Sequence, residues 1–450
     1  MTGFPFSALR PAEHAGDLPD RADVVVIGGG IAGVNAAWHL AAQGQRVVLC
    51  EKGRIGAEQS GRNWGWIRVQ GRDLAEIPLV LEARRHWQDW SDRLGAGLGY
   101  AVRGVTYMAR DASAGAGFEA WLRSARDFGL DSRMLTQAQI DALFPGAEPG
   151  TWKAALHTAS DARAEPFVAV PMMARAAVAE AGVTIREGCA VRALDIAGGR
   201  VRGVVTEAGR IACEAVVLTG GAWSSLFLRR HGVTIPQLAV LSSVMATAPI
   251  ASVFEGAAAD DDLALRRRAD GGYTLAGGGT QIMHLGPDAF RHLRPFVPTL
   301  RQSWREIRLR PAAPRGFPDA WTTPRRWSED ARSPFEAMRI LDPAPDVRTQ
   351  ERVLRAFARA FPRIGRPPIA ARWAGMIDTM PDVVPVLDHV PALPGLVLGT
   401  GLSGHGFGIG PAVGRVLADL VTGRPVGHDL TRFRLGRFTD GSTLRPGPAL

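Results

Sequence analysis

A stretch near the start of the chain constrains the fold more than any other. Residues 22–40 read Ala-Asp-Val-Val-Val-Ile-Gly-Gly-Gly-Ile-Ala-Gly-Val-Asn-Ala-Ala-Trp-His-Leu. The apolar, β-branched run 24–27 predicts a strand that is buried on both faces. Residues 31–43 predict an alanine-rich helix that ends at Gly44. The order strand, glycine loop, helix is typical of the first half of a parallel βαβ unit.

Three glycines lie where the strand passes into the helix, with the spacing Gly-x-Gly-x-x-Gly: Gly28, Gly30 and Gly33. In such a loop the first glycine permits a tight turn and the second lets the backbone approach a pyrophosphate. The third lets helix and strand pack closely. The helix N-terminus, at Ile31 and Ala32, offers unpaired N–H groups and a positive dipole to the phosphates.

An acidic residue completes the motif. Residues 45–51 predict a second strand, and its last residue, Glu51, lies 18 positions after Gly33. A carboxylate at this point accepts hydrogen bonds from the ribose hydroxyls of a bound dinucleotide. Strand, loop, helix, strand and acid in this order predict a dinucleotide-binding unit, but they do not distinguish FAD from NAD.

The rest of the chain alternates between patterns of two kinds, which favours two interwoven domains. Hydrophobic periodicity and turn residues predict further strands at 100–109, 183–194, 199–206, 211–219, 237–248, 262–268, 271–277, 280–285, 369–377 and 395–399. They predict helices at 74–94, 113–128, 136–143, 164–181, 346–361 and 410–422. The run from 237 to 285 alternates and turns at glycines, as an antiparallel sheet does.

Composition excludes several classes of protein. The beginning of the chain lacks the basic and apolar segments of a signal peptide, and no apolar run reaches the length of an integral membrane helix. The three cysteines (Cys50, Cys189 and Cys213) show no disulfide or metal-ligand spacing, so we expect a cytoplasmic protein without a metal site.

The net charge of +9 comes from one region. Residues 291–372 hold 18 arginines against 8 acidic residues, whereas lysine occurs only twice in the chain. A basic region can attract an anionic ligand, nucleic acid or an acidic partner, and it can also be an ordinary solvated surface. No RNA-binding or zinc-finger motif accompanies it, so nucleic-acid binding is not expected.

A second glycine-rich stretch near the end of the chain leads to a family. Residues 399–410, Gly-Thr-Gly-Leu-Ser-Gly-His-Gly-Phe-Gly-Ile-Gly, hold six glycines in twelve positions. It is one of four sequence blocks. The first is Val-Ile-Gly-Gly-Gly-Ile-Ala-Gly together with Glu51, and the second runs from Gly-Val-Val-Thr (203–206) through Val-Val-Leu-Thr-Gly-Gly-Ala-Trp (216–223). The third is Trp-Ala-Gly-Met (373–376) followed by Thr-Met-Pro-Asp (379–382). In these blocks the chain resembles the FAD-dependent family of D-amino-acid oxidase, glycine oxidase and sarcosine oxidase.

The resemblance implies an α/β fold in which a Rossmann-type FAD-binding domain is interwoven with a substrate domain built on an antiparallel sheet. The FAD-binding domain is expected at 20–73, 150–235 and 370–428. The substrate domain is expected at 74–149 and 236–369, with terminal extensions at 1–19 and 429–450. In this family the late glycine loop runs beside the pyrimidine end of the flavin, where a helix N-terminus stabilises the negative charge of the reduced ring.

The resemblance also assigns the FAD-binding residues. They are Gly28, Gly30, Ile31, Ala32, Gly33, Glu51, Lys52, Ser60, Gly61, Arg62, Asn63, Trp64, Val191, Gly220, Gly221, Trp223, Gly375, Gly401, Ser403, Gly404, His405, Gly406 and Phe407.

The anchors that related enzymes use for the substrate carboxylate are missing here. Sarcosine oxidases carry a lysine where this chain has Gly408, and glycine oxidases carry an arginine where it has Ile377. An arginine fork suits a carboxylate, so other arginines are candidate replacements: Arg62, Arg68, Arg72 and Arg326. Taken singly, an arginine is more often a surface or structural residue than a carboxylate anchor.

Further pocket candidates come from the predicted sheet and the nearby loops. Tyr273 and His284 could line the substrate pocket, although a packed or surface aromatic residue is the commoner case. Asp378 would suit a cationic amine, although an aspartate there could also cap a turn. Trp64 and Trp66 could wall the flavin pocket or belong to the core.

The expected activity is oxidation of the C–N bond of an amine or amino acid to an imine, by hydride transfer to flavin N5 and hydrolysis of the imine. Oxygen or an unidentified electron acceptor then reoxidises the flavin. The alternatives are the same fold oxidising a 2-hydroxyacid or another C–O substrate, and a flavin-binding subunit without catalysis of its own.

The resemblance predicts how FAD is held. Sarcosine oxidases attach FAD through a cysteine, and Gly375 occupies the matching position here. We therefore expect noncovalent FAD, so that acid precipitation releases the yellow colour into the supernatant. Colour that stays in the protein pellet would show a covalent bond at another residue.

Overall fold

The sheet that carries the first glycine loop brings together the start, the middle and the end of the chain. Its six strands lie in the order Val386–His389, Leu396–Thr400, Ala215–Leu218, Val24–Ile27, Val47–Glu51 and Thr184–Glu187. All neighbours run parallel except the antiparallel pair formed by the first two. The strand that enters the glycine loop is therefore central, as its uninterrupted apolar sequence predicted.

This computed structural model describes residues 11–279, 281–304 and 306–447. Residues 1–10, on which the expectation about a signal peptide depends, lie outside the described residues. So do residues 448–450 of the expected C-terminal extension and Thr280, the first residue of an expected strand.

Two helices cross closely on one face of this sheet. The alanine-rich helix Ile31–Ala42 packs against Gly406–Thr422, and both bury most of their residues. The crossing needs glycine, because a Cβ at Gly414 would lie 2.5 Å from Cβ of Asn35 and 2.6 Å from the backbone nitrogen of Ala36. The later helix begins at Gly406 rather than at 410, so part of the glycine-rich stretch serves helix packing and not the loop.

A larger sheet holds ten strands. Nine lie in the order Ile307–Arg310, Gln281–His284, Leu238–Thr247, Tyr273–Ala276, Ala264–Arg267, Ala257–Ala259, Val105–Ala109, Ala154–Thr158 and Ser132–Met134. The tenth, Ile369–Thr379, runs antiparallel to Leu238–Thr247 over ten residue pairs. The sheet is antiparallel, as expected, except where Ala257–Ala259 meets Val105–Ala109 and where Gln281–His284 meets Ile307–Arg310.

The remaining elements surround these two sheets. One three-stranded sheet comprises Val191–Ala197, Arg200–Thr206 and Gly209–Ala212, and the other comprises Trp66–Ile67, Ala162–Arg163 and Ala101–Val102. The other α-helices are Gln59–Arg62, Ile77–Leu94, Gly115–Ala125, Gln137–Leu143, Pro166–Ala181, Ser224–Arg230, Pro287–Arg291, Leu293–Ser303, Pro334–Ala337 and Val347–Ala360. No helix among the described residues is long and apolar enough to cross a membrane.

The structure differs from the expected boundaries at several points. The strands Ala154–Thr158 and Ile369–Thr379 hydrogen-bond into the larger sheet. The boundary expected at 150 therefore falls just before one strand of that sheet, and the boundary expected at 370 falls within another. The strand expected at 100–109 is interrupted at Gly104, whose φ of +77° turns the chain from one sheet to another. The helices at 287–303 were not expected at all.

The helix crossing is tested by a pair of glycine substitutions. We expect Gly414→Ala to destabilise the protein by about 1–3 kcal/mol, because its methyl group meets backbone that cannot yield. Gly117→Ala is the matched control, since Gly117 lies in a helix with nothing within 4 Å of an added Cβ. It should be neutral or stabilise by up to about 1 kcal/mol. Equal free energies of unfolding for the two variants would contradict the packing account.

Candidate active site

A long cavity lies between the two large sheets. Its walls come from the first glycine loop on one side and from the strands Leu238–Thr247 and Ile369–Thr379 on the other. Most of the residues expected to bind FAD line it: Gly28, Gly30, Ile31, Ala32, Glu51, Lys52, Ser60, Arg62, Asn63, Trp64, Val191, Gly220, Gly221, Trp223, Gly375, Ser403, Gly404, His405, Gly406 and Phe407. Gly33, Gly61 and Gly401 are not part of this lining.

Backbone contact shapes the first glycine loop. Gly28 has a φ of +107°, and a Cβ there would lie 2.5 Å from the carbonyl oxygen of Thr219. A Cβ at Gly33 would lie 2.0 Å from the carbonyl oxygen of Gly28, so Gly33 allows close packing without touching a ligand. The loop therefore places the N-terminus of the helix Ile31–Ala42 at the cavity wall. There Ser60 Oγ accepts a hydrogen bond from the amide of Ile31 at 2.9 Å.

Glu51 lines the cavity, and backbone amides hold both of its carboxylate oxygens. Its Oε2 accepts a hydrogen bond from the amide of Gly29 at 2.7 Å, and its Oε1 accepts one from the amide of Gly53 at 2.6 Å. Burial raises the pKa of this carboxyl group, and the charge of Lys52 and the two amides oppose that rise. The arrangement fixes two carboxylate oxygens at the cavity wall, where a ribose could share them.

Asp378 lines the cavity, but its carboxylate already has protein partners. Its Oδ2 accepts hydrogen bonds from the amide of Gly401 at 2.8 Å and from Gln237 Nε2 at 3.0 Å. These bonds tie the strand Ile369–Thr379 to the late glycine loop, whose Gly401 has a φ of +69°. The contacts favour the turn-capping interpretation of Asp378 over a role in binding a cationic amine.

Arg62 also has a structural role. It donates hydrogen bonds to the carbonyl oxygens of Ala57 at 2.7 Å and Ala374 at 3.0 Å, and it forms an ion pair with Asp342 at 2.6 Å. The side chain packs under Gly375, where an added Cβ would lie 3.3 Å from Cβ of Arg62. These contacts join the wall of the cavity together, which makes Arg62 a poor candidate for the carboxylate anchor.

A buried polar cluster lies at another part of the lining. His405 Nδ1 is 3.0 Å from Glu76 Oε2, and both side chains are buried. Arg68 lies over the ring of Tyr107, 5.2 Å from its centroid, and donates to the carbonyl oxygen of Gln70. Arg68 and His405 both border the cavity, as does the neighbouring Arg72.

Two atoms of this cluster lack a partner. Arg72 is buried, and its Nη1 has no hydrogen-bond partner among the described residues. Burial and the nearby charge of Arg68 lower the pKa of Arg72 to about 9, so it keeps its charge at neutral pH. Burial and Arg72 lower the pKa of His405 to about 4, so the imidazole is neutral there and its Nε2 is also unpartnered. Buried polar groups without partners are rare and require an explanation.

Three expected pocket residues lie elsewhere. Tyr273 is wholly buried behind the sheet, where its hydroxyl accepts hydrogen bonds from the amides of Val253 and Phe254, so the expectation that it lines the pocket is wrong. His284 packs edge-on against Phe317 and does not border the cavity. Arg326 is exposed on the surface, so it is not the carboxylate anchor.

An aromatic wall flanks the cluster. The rings of Trp64 and Trp66 both line the cavity with centroids 5.3 Å apart. Arg266 positions this wall, because its Nε donates to the carbonyl oxygen of Trp64 at 2.5 Å while its guanidinium pairs with Glu165 at 2.9 and 3.0 Å. Burial opposes ionisation of Glu165, but Arg266 outweighs it and lowers the pKa of Glu165 to about 2.

Several lining residues were missed by sequence reasoning. Gln59, Ser242 and Gln281 border the cavity, and Glu76 lies behind it as the partner of His405. Neutral polar residues on a strand or helix carry no sequence signal of their own. Glu76 carried no sequence signal either, because a glutamate is an ordinary residue in the helix predicted at 74–94.

The cavity fits FAD. Its glycine loop leaves room where a Cβ would clash with backbone, a helix N-terminus meets that loop, and fixed carboxylate oxygens lie at Glu51. The cavity extends from there to the late glycine loop and the wall of Trp64. A glycine loop at a helix N-terminus, an acid at the end of the next strand and a cavity that reaches the late glycine loop are the features expected of a dinucleotide-binding flavoprotein.

Comparison with known proteins identifies the family. Residues 23–420 match the model of the FAD dependent oxidoreductase family, and the chain belongs to that family. Its fold is similar to the structure of L-amino acid deaminase from Proteus myxofaciens in complex with anthranilate, with a TM-score of 0.89, 30% sequence identity, and coverage of 96% of this chain and 97% of that one.

Relatives found by sequence are also named as enzymes that oxidise amino acids or amines. Glycine oxidase from Pseudomonas putida is 27% identical over 89% of this chain and 94% of its own length. Mitochondrial sarcosine dehydrogenase from Mus musculus is 25% identical over 96% of this chain, but the match spans only 43% of that protein. FAD is the cofactor of the family, as expected from the motifs.

The position of Glu51 predicts its contribution to FAD binding. We expect Glu51→Ala to weaken FAD binding by about 1–3 kcal/mol, the scale of a hydrogen bond to a charged group. Titration of the deflavinated protein with FAD measures the change. Glu119→Ala, an exposed glutamate on the helix Gly115–Ala125, is the control and should bind FAD as the wild type does. Unchanged affinity in Glu51→Ala would show that the ribose contact is assigned to the wrong residue.

Proposed function

We propose that the protein oxidises the Cα–N bond of an L-amino acid. FAD, when bound, would supply the acceptor for the hydride of the α-carbon, and water would hydrolyse the resulting imine to a keto acid and ammonia. The L configuration and the deamination are supported by the likeness to the Proteus myxofaciens enzyme over nearly the whole of both chains. An amino acid is also supported by the likeness to glycine oxidase.

The proposal depends mainly on the buried guanidinium of Arg72. It is a buried cation that borders the cavity: its Nε donates to the carbonyl oxygen of Arg68 at 3.4 Å, and its Nη1 has no hydrogen-bond partner among the described residues. Glu76 and Asp161 compensate this charge in part, but neither forms a direct ion pair with Arg72. A buried charge without a direct partner is costly, and a substrate carboxylate would supply one. Arg68, the other arginine of the cluster, adds positive potential at the same wall. Together they replace the anchors whose positions are occupied by Ile377 and Gly408.

The other residues of the cluster orient the substrate without acid–base chemistry. An amine with a free lone pair can release a hydride unaided, so no catalytic base is required. Glu76 fixes the ring of His405, and the neutral Nε2 of His405 can accept a hydrogen bond at the cavity. The aromatic wall of Trp64 and Trp66 excludes water from the compartment that would hold the flavin ring.

The mode of FAD attachment, the electron acceptor and the cellular location belong to the same proposal. FAD is held noncovalently, because Gly375 stands where a cysteine would attach it. Oxygen or another acceptor reoxidises the flavin. Three cysteines that form no disulfide support a cytoplasmic setting. Oxidation of a C–O bond is not favoured, since the relatives described above act on amino acids or amines by name.

An anaerobic screen tests the proposal. Without an acceptor, L-amino acids should bleach the oxidised flavin of the purified protein, and the matched D-amino acids and 2-hydroxyacids should not. Bleaching by 2-hydroxyacids alone would assign the chain to C–O oxidation. Flavin that stays oxidised with every amine and amino acid, yet is reduced by dithionite, would support a non-catalytic subunit.

The carboxylate anchor is tested by comparing substrates. We expect Arg72→Gln to raise the Michaelis constant for the best L-amino acid by about ten- to a hundredfold, because a charged hydrogen bond contributes about 1.5–3 kcal/mol. The corresponding amine, which lacks the carboxylate, should be affected far less. Arg326→Gln, at the exposed arginine, is the matched control and should leave both constants unchanged. Equal losses for amino acid and amine would show that Arg72 does not bind the carboxylate.

A further inference from the structure

A segment of the basic region 291–372 forms part of the wall of the cavity. Residues 333–342, which we call the clasp, contain the short helix Pro334–Ala337. The ring of Phe335 in this helix is buried and borders the cavity, whereas Ala337 and Asp342 are exposed. The clasp therefore separates the cavity from solvent at this point.

Aromatic contacts place the clasp beside Glu51. The ring centroid of Phe335 lies 5.8 Å from that of Trp223 and 6.0 Å from that of Phe227, and both of these residues line the cavity. Lys52, which directly follows Glu51, holds its Nζ 4.4 Å from the centroid of the Trp223 ring. The clasp thus covers the part of the cavity where the expected ribose-binding acid lies.

Backbone contacts fasten one side of the clasp. Lys52 Nζ donates hydrogen bonds to two carbonyl oxygens of the clasp, both at 3.0 Å. Glu58 Oε1 accepts a hydrogen bond from the amide of Leu341, also at 3.0 Å. A Cβ at Gly53 would lie 2.2 Å from the carbonyl oxygen of Arg339, so a side chain there would push the clasp off the wall.

Ion pairs fasten the other side to the three-stranded sheet that contains Val191–Ala197. Arg339 pairs with Glu207 through Nη1 and Nη2. Glu336 accepts hydrogen bonds from Arg192 at 2.7 and 3.0 Å. Burial opposes ionisation of Glu336, but Arg192 outweighs it and lowers the pKa of Glu336 to about 2, so this pair is charged at neutral pH. Charges of the basic region are used here to hold two parts of the chain together.

These contacts are of a kind that can open locally. The side chains of Arg339 and Glu207 are 29% and 18% exposed, so water can reach the pair and replace it at low cost. The helix Pro334–Ala337 keeps its own N-cap, because the amide and the hydroxyl of Ser333 both donate to Glu336 Oε2. The clasp can therefore leave the wall as a unit while the two large sheets stay folded.

We propose that the clasp binds the adenylate half of FAD and retains it in the cavity. When FAD is bound, Glu51 would hold the ribose of that half, and Phe335 and Trp223 would offer aromatic rings to the purine base beside it. Since the clasp lies between the cavity and solvent, FAD enters and leaves only when the contacts of Arg339 with the neighbouring sheet open. This role requires FAD in the cavity but no particular substrate.

The rates of FAD exchange test the clasp in the full chain. Release is timed by ultrafiltration after dilution of the FAD-loaded protein, and uptake by the quenching of tryptophan fluorescence when FAD meets the deflavinated protein. Arg339→Gln should raise both rates by about tenfold, the scale of one charged hydrogen bond. Arg339 does not border the cavity, so its loss acts on opening and not on contact with FAD. Faster release with unchanged uptake would contradict an opening step.

Phe335→Leu tests the contact with the adenylate half. Loss of the ring should raise the dissociation constant for FAD by about three- to tenfold, mainly through faster release. The dissociation constant for FMN, which lacks the adenylate half, should stay as in the wild type. Equal losses for FAD and FMN would show that the clasp does not hold that half.

Each variant has a matched control. Arg366→Gln removes an arginine that pairs with Glu351 in the basic region but outside the clasp. Phe361→Leu removes a buried aromatic ring that does not border the cavity. Both controls should exchange FAD as the wild type does. Wild-type rates in Arg339→Gln, or equal changes in the controls, would overturn the proposal. The rates are measured without substrate, so a chain that oxidises no amino acid would refute the proposed function and still test the clasp.

Discussion

The contact between Gly28, Gly33 and Thr219 determines the rest of the site. There the backbones of two strands and a helix approach within distances that leave no room for a Cβ. Because the helix Ile31–Ala42 can come this close, its N-terminus reaches the cavity next to Glu51. A side chain in this loop would move the helix away and remove the phosphate site with it. The later helix, Gly406–Thr422, also depends on a glycine, Gly414, for its close approach to the helix Ile31–Ala42. That crossing sets where the late glycine loop meets the cavity.

The buried charges of the cavity wall separate into two kinds. Arg62, Asp378 and the Arg266–Glu165 pair have protein partners, and each joins segments that are far apart in the sequence. Arg72 and His405 border the cavity, and each has one side-chain nitrogen without a hydrogen-bond partner among the described residues. Partnered charges hold the walls together, whereas unpartnered ones are explained best by a ligand. This distinction, rather than the mere presence of arginine, selects Arg72 from the four arginines that the sequence offered.

Local patterns predicted much of the fold but less of the substrate site. Apolar runs and turn residues located most strands, and the glycine spacing located the loop that lines the cavity, because these signals depend on neighbouring residues. The alternation of a strand does not say which face meets the cavity, so Tyr273 and His284 were assigned to the wrong side of the sheet. The Glu76–His405 pair joins residues 329 positions apart, and no pattern in the sequence connects them. The helix start at Gly406 was placed too late because glycine suggested loop, whereas the packing of this helix against Ile31–Ala42 determines its length.

We propose that the cavity holds a dinucleotide, with the glycine loop and Glu51 binding the half of FAD that the reaction does not use. Titration of the deflavinated protein with FAD and with FMN, which lacks the adenylate half, tests it most directly. FAD should bind far more tightly than FMN, and Glu51→Ala should reduce the affinity for FAD without changing that for FMN. Equal affinities for FAD and FMN in the wild type would contradict the account.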